Sequence, residues 1–137
     1  MRFSYTAISG FLLGVSAFFT FVVPEAAFST LGGRQLGTFL AAVFPRFYLV
    51  VGAFGALLVL AGLFAFGPRR LPTMAALLAL LLTLAAWLWL LPQVNRAVGT
   101  SAFGVLHGIS LGMDMLAMLL WLVGLLAAAG RGAKGSL

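Results

Sequence analysis

Cysteine is absent from the 137 residues, and charged residues make up only 7% of them. The first absence excludes a disulfide framework and a thiolate metal site. The second excludes a soluble domain, because 64% of the residues are apolar and too few polar side chains remain to cover a water-exposed surface. We therefore expect an integral membrane protein in contact with the lipid bilayer.

Four apolar stretches each reach the roughly 20 residues needed to cross about 30 Å of hydrocarbon. They lie at residues 5–23, 44–66, 71–91 and 102–128, numbered here as spans 1 to 4. None shows the alternating pattern of a barrel strand, so each should form a helix with its backbone bonded internally. The sequence predicts an all-α fold, in which residues 1–137 form one domain, a four-helix antiparallel transmembrane bundle.

The connections between the spans differ in character. Residues 67–70 should form a tight turn, with Pro72 at the start of span 3 where its missing N–H costs little. Residues 92–101 should form a short polar connection. The first connection, 24–43, is the longest, and apolar residues recur in it at helical spacing: Leu36, Phe39, Leu40 and Val43. We expect a short amphipathic helix there on the extracytoplasmic surface. The alternative is one long second helix that is kinked at Pro45.

The formal net charge of +6 does not indicate nucleic-acid binding, because the basic residues separate the spans instead of clustering on a soluble face. With both termini on one side, that side carries five of them: Arg2, Arg69, Arg70, Arg131 and Lys134. The opposite side carries three: Arg34, Arg46 and Arg96. The positive-inside bias predicts a multi-pass protein of the inner (plasma) membrane with both termini in the cytoplasm.

Span 4 carries glycines at every fourth position, Gly104, Gly108 and Gly112. Small residues at this spacing let a neighbouring helix approach closely. Span 1 has a similar pair in Gly10 and Gly14. We expect spans 1 and 4 to pack against each other along these glycines.

Polar residues concentrate toward the extracytoplasmic end of the predicted bundle. Ionisable groups within a bilayer usually face the protein interior or a water-filled cavity. We expect a polar pocket that binds or helps to move a small solute, a proton or an ion; its ligand and any cofactor stay unknown. The candidate pocket residues are Glu25, Arg46, Tyr48, Gln93, Asn95, Arg96, His107 and Asp114.

Two alternatives stay open. In the first, the chain is a structural or accessory subunit whose buried polar residues only lock the helices. Asp114 would then bond to a hydroxyl, and His107 to Tyr48 or to a backbone carbonyl; the candidate hydroxyls are Ser16, Thr20 and Thr83. In the second, the protein binds a metal or haem. The weak candidate ligands are His107, Met115 and Met118, and a single histidine excludes bis-histidine haem within one chain.

Catalysis has little support in the sequence. Ser110 lies three residues from His107, but no acidic side chain is placed to complete a relay, and no phosphate loop, zincin motif or dinucleotide fingerprint is present. We therefore do not expect an enzyme. Four spans are few for a transporter, which favours a homodimer or a partner in a membrane complex.

Four segments of the chain resemble the transmembrane-protein-205-like family, whose bacterial members form a domain of unknown function. They read GVSAFFTFVVPEAAFSTL at 14–31, FPRFY at 44–48, LPQVNRAV at 91–98 and FGVLHGISLGMD at 103–114. The resemblance implies a four-span membrane protein, with some eukaryotic relatives linked to drug export or secretion. Members of the family commonly have asparagine where this chain has Asp114, which implies a hydrogen-bonding role open to a neutral side chain.

Overall fold

The structure, a computed structural model, describes residues 1–133, with side chains for residues 1–130. Its regular structure over this range is helical, in four helices long and apolar enough to cross a membrane. They are span 1, Arg2–Thr30; span 2, Gly33–Phe66; span 3, Leu71–Ala97; and span 4, Phe103–Gly130. The predicted all-α fold with four spans is confirmed. Two charges counted for the orientation, Lys134 and the side chain of Arg131, lie outside the described residues.

The four helices form a square bundle. Span 1 packs against spans 2 and 4, and span 3 also packs against spans 2 and 4. Spans 1 and 3 therefore lie on one diagonal of the square, and spans 2 and 4 lie on the other. The end that holds Met1 and the turn at residues 67–70 is called the terminal end below. The end that holds the connections at 31–32 and 98–102 is called the loop end.

The turn between spans 2 and 3 forms as predicted. Gly67 has a φ of 90°, a left-handed conformation that side chains other than glycine rarely adopt. Pro72 lies within the first two positions of the following helix, where a proline leaves no backbone bond unmade. The Thr73 hydroxyl donates a hydrogen bond to the Gly67 carbonyl oxygen at 2.9 Å and closes the turn.

Two prolines lie just after irregular, π-helical turns. Pro24 in span 1 and Pro92 in span 3 each follow a π-helical segment by two residues, Phe18–Val22 and Ala86–Leu90 respectively. A proline lacks the N–H donor and its ring collides with the carbonyl four residues earlier, and a wider π turn absorbs this misfit. The helix resumes after each proline. Spans 1 and 3 therefore extend beyond residues 23 and 91, where the sequence predicted their ends.

Span 2 is one continuous helix of 34 residues with Pro45 inside it. The prediction of a separate amphipathic helix in the first connection is therefore wrong, and the long second helix is the arrangement observed. The Arg46 guanidinium donates to the carbonyl oxygen of Ala42, in the turn that the proline disturbs. The apolar periodicity of residues 36–43 belongs to the inner face of this long helix, on which Leu36 and Val43 are half-buried.

The outer surface of the bundle is apolar, unlike that of a soluble bundle. Large apolar side chains face outward, among them Phe64, Leu88 and Leu126, which are 62% to 76% exposed. Small side chains fill the seam between spans 3 and 4, where alanines let the helices approach closely. The buried alanines of these two spans are Ala75, Ala76, Ala79, Ala86, Ala97, Ala117 and Ala128. This arrangement suits a bundle whose outer surface is solvated by lipid tails.

Tyr5 closes the terminal end of the bundle. Its side chain is fully buried, and its hydroxyl donates a 2.6 Å hydrogen bond to the carbonyl oxygen of Pro72, across the diagonal from span 1 to span 3. Its ring meets Phe66 of span 2 edge-on at 5.3 Å. A Cβ added to Gly124 of span 4 would lie 2.6 Å from the Tyr5 hydroxyl oxygen. One tyrosine therefore contacts all four helices.

The predicted glycine contact between spans 1 and 4 is wrong. Spans 1 and 4 do pack together, but a Cβ on any of five glycines would meet no atom within 4 Å: Gly10, Gly14, Gly104, Gly108 and Gly112. The buried face of span 4 is formed by Ser110, Ala117 and Trp121, which lie roughly 160° around the helix from the glycine face. The close approach of span 1 to span 4 is made at Gly124 instead, which faces Tyr5.

This packing can be tested with two glycine variants of span 4. Gly124→Ala should lower the free energy of unfolding by roughly 1–3 kcal/mol, because the new methyl group displaces the Tyr5 hydroxyl from Pro72. Gly112→Ala, which meets open space, should be neutral or slightly stabilising. Thermal unfolding of both variants in the same detergent measures the difference. Equal stability of the two variants would contradict the junction at Tyr5.

Candidate functional site

A small cavity in the middle of the bundle receives one polar side chain from each helix. These are Ser16 of span 1, Tyr48 of span 2, Thr83 of span 3 and Asp114 of span 4. Its volume of about 10 Å³ is room for about one water molecule. The apolar and aromatic part of the lining consists of Phe47, Val51 and Trp121. The cavity is too small for an organic solute.

Tyr48 and Asp114 are joined by a hydrogen bond across the second diagonal of the bundle. The Tyr48 hydroxyl donates toward both carboxylate oxygens of Asp114, at 3.2 and 3.3 Å. Both distances exceed the 2.5–3.0 Å usual for a hydroxyl donor, so the contact is loose. Tyr48 is 1% exposed, and Asp114 is half-buried. The carboxylate keeps capacity to accept further hydrogen bonds.

Two polar atoms beside this pair have no partner in the described part of the chain. Ser16 Oγ and Trp121 Nε1 are buried and unpaired, and both residues line the cavity. Thr83 bonds only within its own helix, to the Ala79 carbonyl oxygen at 2.9 Å. An unpaired buried polar group costs about 1–3 kcal/mol. A water molecule could accept a hydrogen bond from Trp121 and donate to Asp114, which removes this cost.

Three polar residues of span 4 lead from the loop end toward the cavity. His107, Ser110 and Asp114 are separated by three and four residues and therefore lie along one side of the helix. His107 is exposed and stacks on Phe103 with a centroid distance of 5.5 Å. Ser110 is buried, and Asp114 reaches the cavity. His107 lies about 10 Å along the axis from Asp114, so the two side chains do not form one binding site.

Of the eight predicted pocket residues, only Tyr48 and Asp114 line the cavity. The exposed ones are Glu25, Arg46, Asn95, Arg96 and His107. Gln93 is half-buried and donates a hydrogen bond to the carbonyl oxygen of Trp89 at 3.0 Å. Because the helices of spans 1 to 3 continue past their predicted ends, these polar groups lie on extended helical surfaces, and the structure does not gather them into one pocket.

The candidate metal ligands are also separated. His107 and Met115 are exposed, whereas Met118 is buried in the core. The first two lie about 12 Å apart along the helix. Within residues 1–133, no group of three or more histidine, cysteine or acidic side chains could hold a metal ion. The structure thus offers no assembled donor set for the metal or haem alternative.

Sequence reasoning identified part of the cavity. Ser16 and Thr83 were candidate partners of Asp114, and both line the cavity with it, but its bonded partner is Tyr48. Thr20 is half-buried and is not part of the lining. Trp121 was missed, although it lies seven residues after Asp114 and therefore on the same side of span 4. That spacing was the available signal.

Comparisons with known proteins agree with a bacterial membrane family of uncharacterised function. A family model described as a domain of unknown function, DUF4149, matches residues 7–102. An uncharacterised protein of Aquifex aeolicus (strain VF5) is similar to this chain, with 31% identity over 121 residues that cover 85% of this chain and 87% of that protein. No solved structure matches the chain. The chain therefore belongs to the DUF4149 family.

Proposed function

We propose that this protein binds and releases a proton in the middle of the membrane, at Asp114, with one water molecule as the immediate proton donor and acceptor. The observation that carries the proposal is the convergence of four polar side chains, one from each helix, on a cavity that fits one water. Ionisable residues inside membrane proteins commonly belong to proton or ion pathways. The proposal involves no covalent catalysis.

The size and the polarity of the cavity favour a proton over other ligands. A volume of about 10 Å³ excludes an organic solute. The lining offers one carboxylate and several hydroxyls, but the indole N–H of Trp121 is a donor that a metal cation would oppose. A water molecule in the cavity would offer an acceptor to Trp121 Nε1, which is unpaired, and a donor to Asp114, because both residues line the cavity.

The side chains that follow the cavity differ in polarity between its two sides. Toward the loop end, His107 and Ser110 continue the polar line from Asp114. Toward the terminal end, fully buried Leu12 and Leu58 follow the cavity, and the Tyr5 junction lies beyond them. Polar side chains on only one side of the cavity favour a proton-binding site over a continuous proton channel.

The orientation in the membrane and the wider family name are part of this proposal. The excess of arginine at the terminal end supports an inner-membrane location with cytoplasmic termini, which makes the loop end the proton-accessible side. The segments quoted above support a relationship to the transmembrane-protein-205-like family. A homodimer or a membrane-complex partner stays a prediction.

A variant with a single tryptophan tests the proton site. In a Trp87→Phe/Trp89→Phe background, Trp121 is the chain's one indole and lines the cavity with Asp114. Its emission should change reversibly with pH, because protonation of Asp114 reorganises the water between them. Asp114→Asn should abolish the change. Glu25→Gln, which removes the one other acidic side chain, should preserve it.

Two matched serine variants sharpen this test. Ser9 and Ser16 both lie buried on span 1, and the hydroxyl oxygens of both are unpaired, but only Ser16 lines the cavity. Ser16→Ala should shift the midpoint of the Trp121 response, whereas Ser9→Ala should leave it unchanged. An emission that stays constant across the pH range in which the protein is folded would refute the proton site.

A purely structural role is the second candidate, and the Tyr48–Asp114 bond between diagonal helices favours it. Tyr48→Phe should lower the free energy of unfolding by about 0.6–1.7 kcal/mol, the range for hydrogen bonds between membrane helices. Asp114→Asn should stay near wild type, because the amide oxygen still accepts from Tyr48. Thermal unfolding in detergent measures both variants. Asp114→Ala, which removes the acceptor, is the reference for loss of the bond. If Asp114→Asn is as unstable as Asp114→Ala, the Tyr48–Asp114 bond is not what joins spans 2 and 4.

A further inference from the structure

A second polar feature lies at the terminal end, apart from the core cavity. Arg2 of span 1 and Arg70 of the turn before span 3 line an open cleft whose floor is formed by Ala65 and Phe66 at the end of span 2. The cleft has a volume of about 370 Å³, which is within the range of small-molecule sites. Two guanidinium groups therefore border a space large enough for a phosphate group.

The cleft is fixed to the bundle core through aromatic contacts. The Arg2 guanidinium lies over the Phe66 ring at 5.8 Å from its centroid, a cation–π contact that limits the motion of the arginine. The other contact of Phe66 is the buried ring of Tyr5, which is tied to Pro72. Arg2, which is exposed, is thus connected to the Tyr5 junction through Phe66.

The charge of this end is not balanced by acidic side chains of the chain itself. The sequence contains two, Glu25 and Asp114. Asp114 lies at the core cavity, and Glu25 lies beyond it toward the loop end. Neither acidic side chain is therefore placed to pair with Arg2 or Arg70. Guanidinium groups match phosphate oxygens in a forked, two-bond geometry.

We propose that Arg2 and Arg70 bind the phosphate of an anionic lipid headgroup in this cleft. The cleft lies where span 2 ends, at the depth of the membrane–water interface where headgroups are found. Strongly exposed apolar side chains at the same end of the bundle are available to the acyl chains, with Phe64 76% and Leu71 51% exposed. A free phosphate ion shares the headgroup chemistry but would make no use of these side chains. The proposal is independent of the proton site.

Native mass spectrometry of the detergent-purified full chain, after incorporation into mixed phosphatidylglycerol and phosphatidylcholine nanodiscs, tests the cleft. Wild type should retain phosphatidylglycerol in preference to phosphatidylcholine. Arg2→Gln and Arg70→Gln should each reduce the retention of phosphatidylglycerol by roughly tenfold, as expected for loss of a charged hydrogen bond. Arg69→Gln is the matched control, because Arg69 has the same charge in the same turn but does not line the cleft.

Three results would overturn the proposal. Equal losses in Arg69→Gln and Arg70→Gln would show general attraction to anionic lipid with no defined site. Retention unchanged in both Arg2→Gln and Arg70→Gln would exclude the cleft. Displacement of the lipid by excess inorganic phosphate, added alone, would identify a phosphate-ion site. Circular dichroism and thermal unfolding of each variant establish that it is folded. If Arg2→Gln does not insert into the membrane, the comparison of Arg70→Gln with Arg69→Gln still tests the cleft.

Discussion

A polar group within hydrocarbon has no water to bond with, so its partner must come from the protein. In this bundle two tyrosine hydroxyls meet that requirement by crossing the two diagonals of the square. Tyr5 bonds from span 1 to span 3, and Tyr48 bonds from span 2 to span 4. Contacts along the sides of the square hold neighbouring helices together, but only a diagonal bond fixes the distance between opposite helices.

The π-helical turns also lie on one diagonal of the bundle. Spans 1 and 3, which lie on one diagonal, each contain a π turn followed after two residues by proline. Both π turns lie between the cavity and the loop end, since Ser16 precedes one and Thr83 precedes the other. π turns within helices frequently occur at functional sites. The terminal half of the bundle is thus built from regular helices and a tight tyrosine junction, whereas the loop half contains the backbone features that permit rearrangement.

The sequence was sufficient for the coarse fold, because hydropathy reports directly on the length of a helix that lipid must solvate. Prediction from the sequence failed where two different structures are compatible with the same residue pattern. The glycine spacing of span 4 does not tell whether the glycines face a neighbouring helix or the lipid. The structure shows that Gly104, Gly108 and Gly112 face away from the other helices. Prolines 24, 45 and 92 suggested helix ends, but π turns or a continuous helix accommodate them. Asp114 and Tyr48 were both placed in the predicted polar pocket because polar residues concentrate toward one end of the bundle. Their bond was not predicted, since it joins two separate helices.

Both diagonal bonds have a tyrosine hydroxyl as donor, but their lengths and acceptors differ. The two halves of the bundle are therefore not equivalent. The Tyr5 hydroxyl lies 2.6 Å from a backbone carbonyl that cannot change its charge. The Tyr48 hydroxyl lies 3.2–3.3 Å from the carboxylate of Asp114, whose charge can change. Beside this pair, Ser16 and Trp121 have polar atoms without hydrogen-bond partners. If Asp114 binds and releases a proton as proposed, the change of charge would alter what Tyr48 can donate to, and it would act on the loose diagonal and not on the tight one. Spans 2 and 4 are the helices whose separation such a change would alter, and the junction at Tyr5 is the point about which they would move.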